Sequence, residues 1–184
     1  YAEDGTLARK EYFGAGGRGD RVIGPEGGAV VEYVYEAAFD ADGWRADRLL
    51  SMRVFGVDNQ PVLGAGKFHR QTNAYDDRGN LTRTDYYGAD GERVKALDGY
   101  ASITHAYDGG DRVVETCYYN AAEKLTKTVT GYARVTYEYY GSGDLHWETY
   151  YGADNQRTMV LDGYSRVEHE YGGQTFDRRI TYYD

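Results

Sequence analysis

The sequence predicts an all-β protein in which a unit of 32 residues is repeated in tandem. Three series of residues keep this spacing: Tyr75, Tyr107, Tyr139 and Tyr171; Tyr87, Tyr119, Tyr151 and Tyr183; and Gly99, Gly131 and Gly163. Between these positions apolar and polar residues alternate with a period of two, which is typical of β-strands. A constant period indicates one supersecondary unit copied along the chain, so that each copy packs mainly against its neighbours. We therefore expect β-hairpins or short meanders that join into a twisted, solenoid-like or spiralling antiparallel sheet.

The amino-acid composition also favours strands and tight turns. The chain has 184 residues with 21 Tyr, 5 Phe and 2 Trp, and its mean hydropathy is −0.74. Its core is therefore not built mainly from Leu, Ile and Val. Tyrosine buries a large ring while its hydroxyl reaches a polar partner, which suits a thin sheet. The 25 Gly against 2 Pro indicate many tight turns and few rigid breaks.

The repeats predict a single repeat domain over residues 1–184, which we expect to be a fragment of a longer protein. Approximate copies cover residues 1–26, 27–65, 66–98, 99–130, 131–162 and 163–184. The first copy is entered halfway and the last is truncated. The second copy carries an insertion at residues 36–50, which contains Trp44 and is the one segment with helical or lid-like character.

Each unit is predicted to contain two or three antiparallel strands. Over residues 132–139 one face carries Ala133, Val135, Tyr137 and Tyr139, and the other carries Tyr132, Arg134, Thr136 and Glu138. The first of these faces is predicted to be buried. Gly and Asp, as in residues 76–79, mark the hairpin turn that follows. A second strand then runs to a Tyr-Tyr pair, and a third short segment, such as residues 93–97, returns to the next glycine.

Charge and cysteine content exclude several classes of partner and site. The formal net charge of −9 argues against nucleic-acid phosphates and against anionic lipid. No stretch approaches the roughly 18 consecutive apolar residues that a membrane span needs. Cys117 is the single cysteine, which excludes an internal disulfide and a Cys-based metal knuckle. Its counterparts in other copies are Asp85, Thr149 and Thr181, so it is predicted to be a buried filler and not a nucleophile.

Residues 75–82 read Tyr-Asp-Asp-Arg-Gly-Asn-Leu-Thr and resemble the YD repeat of the Rhs and teneurin families. Units of that repeat read Tyr-Asp, two variable residues, Gly, a polar residue and Leu-Thr. The match is partial at Tyr107-Asp108, the Asp is lost after Tyr139 and Tyr171, and the 32-residue step is longer than the usual unit. The resemblance implies an extracellular or secreted β-sheet that spirals into a shell around cargo, or a surface-displayed adhesive stalk.

A second resemblance involves the motif Tyr-Tyr-Gly-Ala-Asp followed by Gly or Asn, at residues 86–91 and 150–155. The motif is similar to the Tyr-Tyr-x-x-Asp-Gly core of aromatic cell-wall-binding and glucan-binding repeats. Those repeats are β-hairpin solenoids in which aromatic residues of adjacent hairpins bind choline or glucan. The characteristic Trp and the shorter period of those repeats are missing here. This resemblance implies a glycan-binding surface.

The adjacent tyrosines at the end of the second strand are the candidate functional residues. Consecutive side chains of a strand point to opposite faces, so each pair contributes to two stripes. One stripe contains Tyr86, Tyr118, Tyr150 and Tyr182, and the other contains Tyr87, Tyr119, Tyr151 and Tyr183. We predict the first stripe to bind glycan, because a regular row of exposed tyrosine rings can stack on sugars. The alternative is that both stripes are structural ladders that hold the strands in register.

No cofactor, metal site or catalytic residue is predicted. His105 and His169 are equivalent positions two units apart, which places them at least about 10 Å from each other and too far apart to share a metal. Asp-rich turns such as residues 40–43 carry oxygens that calcium prefers, but a tight turn selects Asp before Gly as well. Residues 18–20 spell Arg-Gly-Asp, the integrin tripeptide, in a Gly-rich loop. Three residues are a weak motif.

Together these features predict a non-enzymatic extracellular repeat module, from a bacterial surface or secreted protein, that binds cell-wall or other glycans through aromatic rows. The alternative is a structural scaffold or shell segment of a Rhs-like protein, with adjacent repeats or domains as its partners and no small ligand. A row of exposed tyrosines favours binding, whereas two covered stripes favour the scaffold. Residues 36–50 are the one segment in which an enzymatic site is still conceivable. Such a site would need a cleft with converging polar groups.

Overall fold

A computed structural model describes residues 8–16, 19–38, 46–172 and 177–184 of the chain. These residues form strands, turns and loops without any helix, which confirms the predicted all-β class. Within the same ranges, no helix is long and apolar enough to cross a lipid bilayer. The chain divides into two compact units, residues 1–97 and 98–184. The division falls close to the predicted start of the fourth copy.

The described part of each unit is an antiparallel meander. In the first unit the strands are β1 (Arg9–Glu11), β2 (Val30–Glu36), β3 (Arg48–Phe55), β4 (Arg70–Tyr75) and β5 (Leu81–Tyr87). In the second unit they are β6 (Ser102–Tyr107), β7 (Val113–Tyr119), β8 (Arg134–Tyr139), β9 (Leu145–Tyr151), β10 (Arg166–Tyr171) and β11 (Asp177–Tyr183). Within each unit every strand pairs with the next one along the sequence. The predicted tandem hairpins are therefore confirmed.

The hairpins share one register, which is the structural counterpart of the sequence repeat. Their outermost pairs are Arg70 with Tyr87, Ser102 with Tyr119, Arg134 with Tyr151 and Arg166 with Tyr183. Each hairpin also has a β-bulge just before the tyrosine that ends its first strand, as between Glu138 and Tyr139. A bulge adds one residue to one strand and bends it, so its recurrence shows that each copy is bent at the same point.

The turn after the first strand of a hairpin is closed by an aspartate. The Asp108 carboxylate accepts hydrogen bonds from the backbone N–H groups of Gly110 and Arg112 at 2.8 and 3.1 Å, and from Arg112 Nε at 2.8 Å. Asp76 accepts the equivalent backbone bonds in its own copy. A short carboxylate that bonds the backbone two and four residues ahead stabilises the reversal of the chain.

The third short segment of each copy of the repeat is a loop and not a strand. It contributes single bridges, namely Tyr87 with Arg93, Tyr119 with Leu125 and Tyr151 with Arg157. In the last of these copies, two tight turns, closed by bonds from Gly152 N to Gln156 O and from Val160 N to Tyr164 O, bracket the segment. The residues between the two turns are too few to extend the pairing. Each copy of the 32-residue repeat therefore has two strands and a returning loop.

The insertion at residues 36–50 lengthens a hairpin at both of its described ends. β2 continues through Glu36 and β3 begins at Arg48, and these two residues pair with each other. Ala46 N also donates to Ala38 O at 2.9 Å. The expectation of helical or lid-like character is therefore wrong for these flanks, because the added residues extend the ladder. Residues 39–45, with Trp44, lie outside the described residues, as do residues 1–7 of the first copy.

A small residue just before the first strand of a hairpin joins neighbouring hairpins. Four of the five residues at this position are small and 0–3% exposed, namely Ala29, Ala101, Ala133 and Ser165, and the fifth is His69, which is 9% exposed. Ala133 N donates to Tyr151 O at 2.8 Å, and Ala133 O accepts from Tyr118 N at 2.9 Å. The residue thus connects the strand before it and the strand after it. Where the residue is almost completely buried its side chain is small, whereas His69 makes the same two backbone bonds and places its Nδ1 atom 2.6 Å from Val54 O.

We expect acid to weaken the fold through the turn of Asp108. The Arg112 side chain and the backbone N–H groups that Asp108 accepts lower the pKa of this carboxyl to about 2. Because the pKa is lower in the folded state than in the unfolded chain, at about 3.9, this contribution to stability is complete above about pH 4 and is lost as the pH falls toward 2.

The measurement is urea unfolding of the wild type, Asp108→Ala and Asp108→Asn between pH 7 and pH 2. The wild type should exceed Asp108→Ala in stability at neutral pH, and the difference should shrink below about pH 4. Asp108→Asn keeps an acceptor for the backbone bonds but not the charge, and its stability should lie between the other two. If the stability difference between the wild type and Asp108→Ala is the same at pH 2 as at pH 7, the ionised Asp108 carboxylate does not stabilise the turn.

Candidate functional site

The tyrosines of the second unit form a continuous row of ring contacts, which we name the aromatic ladder. Its members are Tyr100, Tyr118, Tyr132, Tyr150, Tyr164 and Tyr182. Successive ring centroids lie 4.8, 5.7, 4.9, 5.8 and 4.7 Å apart, and the rings are tilted or perpendicular to one another. This geometry brings the positive edge of one ring toward the negative face of the next. In the first unit, Phe68 and Tyr86 make the same contact at 4.8 Å.

Two different elements supply the rings of the aromatic ladder. Tyr118, Tyr150 and Tyr182 belong to second strands, whereas Tyr100, Tyr132 and Tyr164 each follow a glycine in the returning loop. That glycine has a positive φ, 99° at Gly131, which a residue with a side chain rarely adopts. The prediction that Tyr132 lies on the polar face is wrong, because it packs against the core of Val135 and Tyr150. The strand begins only at Arg134, so the alternation does not reach Tyr132.

Burial differs along the predicted glycan-binding stripe. Tyr150 is 8% exposed, Tyr86 and Tyr118 are half-buried, and Tyr182 is 57% exposed. Tyr150 lies between Tyr132 and Tyr164, whereas Tyr182 contacts Tyr164 on one side. Burial also raises the pKa of the Tyr118 and Tyr150 hydroxyls well above the usual value, so both groups are neutral. The structure thus places Tyr118, Tyr150 and Tyr182 in one row of the second unit and Tyr86 against Phe68 in the first. Of these four residues, Tyr182 alone presents a freely accessible ring.

A carboxylate and a histidine lie beside the aromatic ladder. Tyr150 Oη donates to Glu148 Oε2 at 2.8 Å, and Glu148 Oε1 lies 2.9 Å from His169 Nε2. These groups belong to the neighbouring strands β9 and β10. The carboxylate therefore gives a partner both to a buried hydroxyl and to an imidazole, which avoids an unsatisfied polar group beneath the ladder. The sequence does not predict the contact between Glu148 and His169, because it depends on the register between two hairpins.

At the positions of Glu148 and His169, other copies hold different polar side chains, which pair within one hairpin. His105 Nδ1 lies 2.9 Å from Thr116 Oγ1, and Thr84 Oγ1 donates to Asn73 Oδ1 at 2.9 Å. At Tyr137, burial first and nearby Glu148 second raise the pKa of the hydroxyl to about 12. Burial lowers the pKa of His105, which favours its neutral form. Two hairpins thus pair these positions internally, whereas Glu148 and His169 pair between neighbouring hairpins.

The second tyrosine stripe lies on the opposite face of the sheet and contacts cations. The Arg70 guanidinium lies 4.2 Å from the ring centroid of Tyr87, and that of Arg134 lies 3.9 Å from Tyr151. Both are the outermost pairs of their hairpins, so the stacking closes each hairpin at one end. At the last copy Tyr183 instead donates to Glu168 Oε2 at 2.6 Å and contacts Trp147 at 5.5 Å. This stripe is therefore engaged by arginine and other protein groups.

One strand position carries a charge in one copy and a thiol in the next. Asp85 is 8% exposed, and its carboxylate lies 2.8 Å from Arg83 and 3.1 Å from Arg93. Cys117, at the equivalent position, is 6% exposed, and burial raises the pKa of its thiol to about 11. A thiol that stays protonated is a poor nucleophile. Its predicted role as a buried filler agrees with this environment.

Metal-binding geometry is lacking in the described part of the chain, where no three His, Cys, Asp or Glu side chains converge on a common point. The turn aspartates, such as Asp76 and Asp108, point their carboxylates at backbone N–H groups of their own turns. His146 Nε2 lies 3.5 Å from a single carboxylate, that of Glu168, and its ring stacks on Tyr140 at 4.0 Å. These groups are engaged in local contacts.

The Gly-rich loop of the first unit lies beside an open pocket of about 930 Å³. Its lining includes Glu11 and Arg21, whose side chains are paired at 2.9 Å, and the exposed residues Gly19 and Asp20. Arg18, the first residue of the Arg-Gly-Asp tripeptide, lies outside the described residues. The Arg-Gly-Asp tripeptide therefore stays a weak motif of the sequence, which the structure does not test.

A second open pocket, of about 610 Å³, lies at the exposed end of the aromatic ladder. It is lined by Met159, Asp162, Gly163, Tyr164, Tyr182, Tyr183 and Asp184. Tyr182 and Tyr183, whose rings lie on opposite faces of β11, thus both border this pocket, together with the carboxylate side chains of Asp162 and Asp184. A carbohydrate site uses rings for stacking and oxygens for hydrogen bonds. The same groups can also contact a further strand that pairs with an exposed edge.

Comparison with known proteins gives no assignment: no family model matches the chain, and no curated protein sequence matches it. The resemblance to YD repeats, the glycan-binding stripe and the location of the protein therefore stay predictions. What the chain can do must be argued from its own contacts.

We expect Tyr150 to be the most costly ladder residue to remove. Truncation of a fully buried aromatic side chain leaves a cavity, so Tyr150→Ala should lower the free energy of unfolding by about 3–5 kcal/mol. Tyr150→Phe keeps the ring and loses the bond to Glu148, which should cost about 1 kcal/mol. Urea unfolding measures both effects.

The matched control is Tyr182→Ala, which removes the same side chain at an exposed position of the ladder. Its cost should stay at or below about 1 kcal/mol, as for surface substitutions with few contacts. Equal losses for Tyr150→Ala and Tyr182→Ala would show that burial in the ladder does not determine stability.

Proposed function

We propose that this chain is a non-enzymatic structural segment of a repeat scaffold or shell, in which the aromatic ladder joins successive hairpins. The observation that carries the proposal is the engagement of the ladder rings with one another. Tyr118 and Tyr150 each contact a ring on both sides, and the latter is nearly inaccessible to solvent. Rings used in this way supply packing between copies and have little free face to offer a ligand.

The opposite face supports the same proposal. Tyr87 and Tyr151 are covered by arginine side chains, and Tyr183 bonds to Glu168. The hairpins that end in Tyr86–Tyr87, Tyr150–Tyr151 and Tyr182–Tyr183 therefore direct both of these tyrosines toward groups of this chain. The resemblance to the YD repeats adds a setting to the proposal: a secreted or surface-exposed bacterial protein whose partners are adjacent repeats or domains.

The test is to break the aromatic ladder at one point and to measure how the hairpins on its two sides open. Tyr132 lies between Tyr118 of β7 and Tyr150 of β9, at 5.7 and 4.9 Å. In an array stabilised by contacts between neighbouring copies, Tyr132→Ala should weaken that junction by about 2 kcal/mol. Native-state hydrogen exchange should then separate the amides of β8–β11 from those of β6–β7, which open together in the wild type.

Tyr132→Phe is the matched control for this experiment. It keeps the ring that makes both contacts, so the two groups of amides should continue to exchange together. If Tyr132→Ala leaves exchange unchanged in both groups, the ladder does not couple the hairpins and the scaffold proposal fails.

Glycan binding remains a second candidate, and one observation favours it. Tyr182 is 57% exposed and lies in the pocket with Asp162 and Tyr183, where a sugar ring could stack and hydrogen-bond. Of the predicted residues Tyr86, Tyr118, Tyr150 and Tyr182, the last is the one that this mechanism would use first, since stacking needs a free ring face. Binding of cell-wall glycan at this end is compatible with a scaffold role for the rest of the chain.

A glycan array separates this candidate from the scaffold alone. If the pocket binds sugar, the wild type and Tyr182→Phe should retain the same glycans, whereas Tyr182→Ala should lose about tenfold or more in affinity because the stacking ring is gone. If Tyr182→Phe and Tyr182→Ala bind every glycan on the array equally, the glycan-binding candidate fails. Both variants alter an exposed side chain, so circular dichroism should show an unchanged fold.

A further inference from the structure

Strand β11 has one side that no strand of the described chain covers. β11 pairs with β10 along residues 166–171, and it is the last strand in the order of the sheet. Ile180, Tyr182 and Tyr183 are 46%, 57% and 38% exposed. An uncovered strand presents unpaired backbone groups that can accept a further strand.

The interior copies show what covers the equivalent surface. The β9 strand meets the segment of residues 163–167 through three contacts. The ring of Tyr150 contacts that of Tyr164, Tyr150 N donates to Ser165 O at 2.9 Å, and Glu148 pairs with Val167. The pattern is a glycine, a tyrosine, a small residue, any residue and a β-branched apolar residue.

The same three contacts recur one copy earlier, between β7 and the segment of residues 131–135. The ring of Tyr118 contacts that of Tyr132, Tyr118 N donates to Ala133 O at 2.9 Å, and Thr116 pairs with Val135. Two independent instances thus define one type of interface within this unit. In both, the small residue is almost completely buried.

On β11 the corresponding positions are Tyr182 for the ring and the N–H group, and Ile180 for the paired residue. Tyr182 contacts Tyr164 on its inner side as Tyr150 contacts Tyr132, at 4.7 and 4.9 Å. Ile180 is apolar where β9 has Glu148 and β7 has Thr116. The outer side of β11 therefore offers the same template with a more apolar third position.

We propose that the outer edge of β11 captures an extended segment of an adjacent repeat, with the pattern Gly-Tyr-small-x-β-branched. The captured tyrosine stacks on Tyr182, the carbonyl of the small residue accepts the N–H of Tyr182, and the β-branched residue packs on Ile180. The mode is addition of a strand to a sheet edge, in which backbone bonds give affinity and side-chain positions give specificity. It rests on the proposed scaffold function and names the partner of that scaffold.

The probe is a nine-residue peptide with the sequence of residues 99–107, Gly-Tyr-Ala-Ser-Ile-Thr-His-Ala-Tyr. Among the copies, this one has Ser102 where Arg134 and Arg166 stand in others. Arg134 reaches diagonally to Glu115 at 2.7 Å, and the residue of β11 at the position of Glu115 is Arg179. A serine avoids bringing a second cation toward Arg179.

The experiment is titration of the isotope-labelled 184-residue chain with this peptide, followed by NMR. At about 1 mM peptide, enough to detect even weak association, the amide signals of residues 179–183 should shift, and exchange of the Tyr182 amide with solvent should slow. A peptide with Ala in place of Tyr100 should bind about tenfold more weakly, because the ring contact is lost. A peptide with Leu in place of Ala101 should also bind about tenfold more weakly, because both instances of this interface in the second unit bury a small residue, Ala133 or Ser165, at this position.

The protein variant Tyr182→Ala should weaken binding of the unmodified peptide to the same degree as the peptide variant at Tyr100. Four results would overturn the proposal: no shift on β11, equal binding of all three peptides, shifts confined to residues 9–11 on the edge strand of the first unit, or displacement of the peptide by a scrambled sequence. Failure here leaves the ladder coupling measured with Tyr132→Ala untouched, so the two proposals can fail separately.

Discussion

Each hairpin of the second unit depends on ring contacts between a tyrosine of a strand and a tyrosine of the loop that leads into the next hairpin. The chain has few large aliphatic residues, and its fully buried side chains are mostly Ala and Val. Those residues alone bury little apolar area. Tyrosine rings at 4.7–5.8 Å from one another supply the missing area, and they do so at the junctions where one copy meets the next.

The rings bring hydroxyl groups with them, and the fold provides partners for those hydroxyls. In the aromatic ladder, Tyr150 donates to Glu148. Outside the ladder, Tyr139 donates to the carbonyl of Val113 at 2.7 Å, and Tyr140 donates to that of His169 at 3.1 Å. A phenylalanine ladder would need no such bonds but would leave its exposed members apolar. Tyrosine allows one residue type to serve at buried, half-buried and exposed points of the same row.

Periodicity in the sequence was sufficient to predict the all-β class, the tandem hairpins and the placement of the two Tyr stripes on opposite faces of the sheet. It failed at Tyr132, because the alternation of a strand does not extend into the loop before it. Two or three strands were expected in each copy, and the third segment makes single bridges only, because the turns on both sides of residues 157–159 leave it too short for a ladder. The contact of Glu148 with His169 could not be foreseen, since it depends on how one hairpin is aligned with the next. Asp85 shows the same limit: its two arginine partners are obvious only once the strand and the loop are placed.

Equal register in every described hairpin has a consequence for how such a chain can change over evolutionary time. Unequal recombination that adds or deletes one coding period of 32 residues creates a junction with the same bonds and the same ring contacts as the old ones. Length can then drift by whole copies while the local fold is preserved. Substitutions at a position such as Asp85 or Cys117 stay private to one copy, so individual copies can diverge in chemistry without loss of the array.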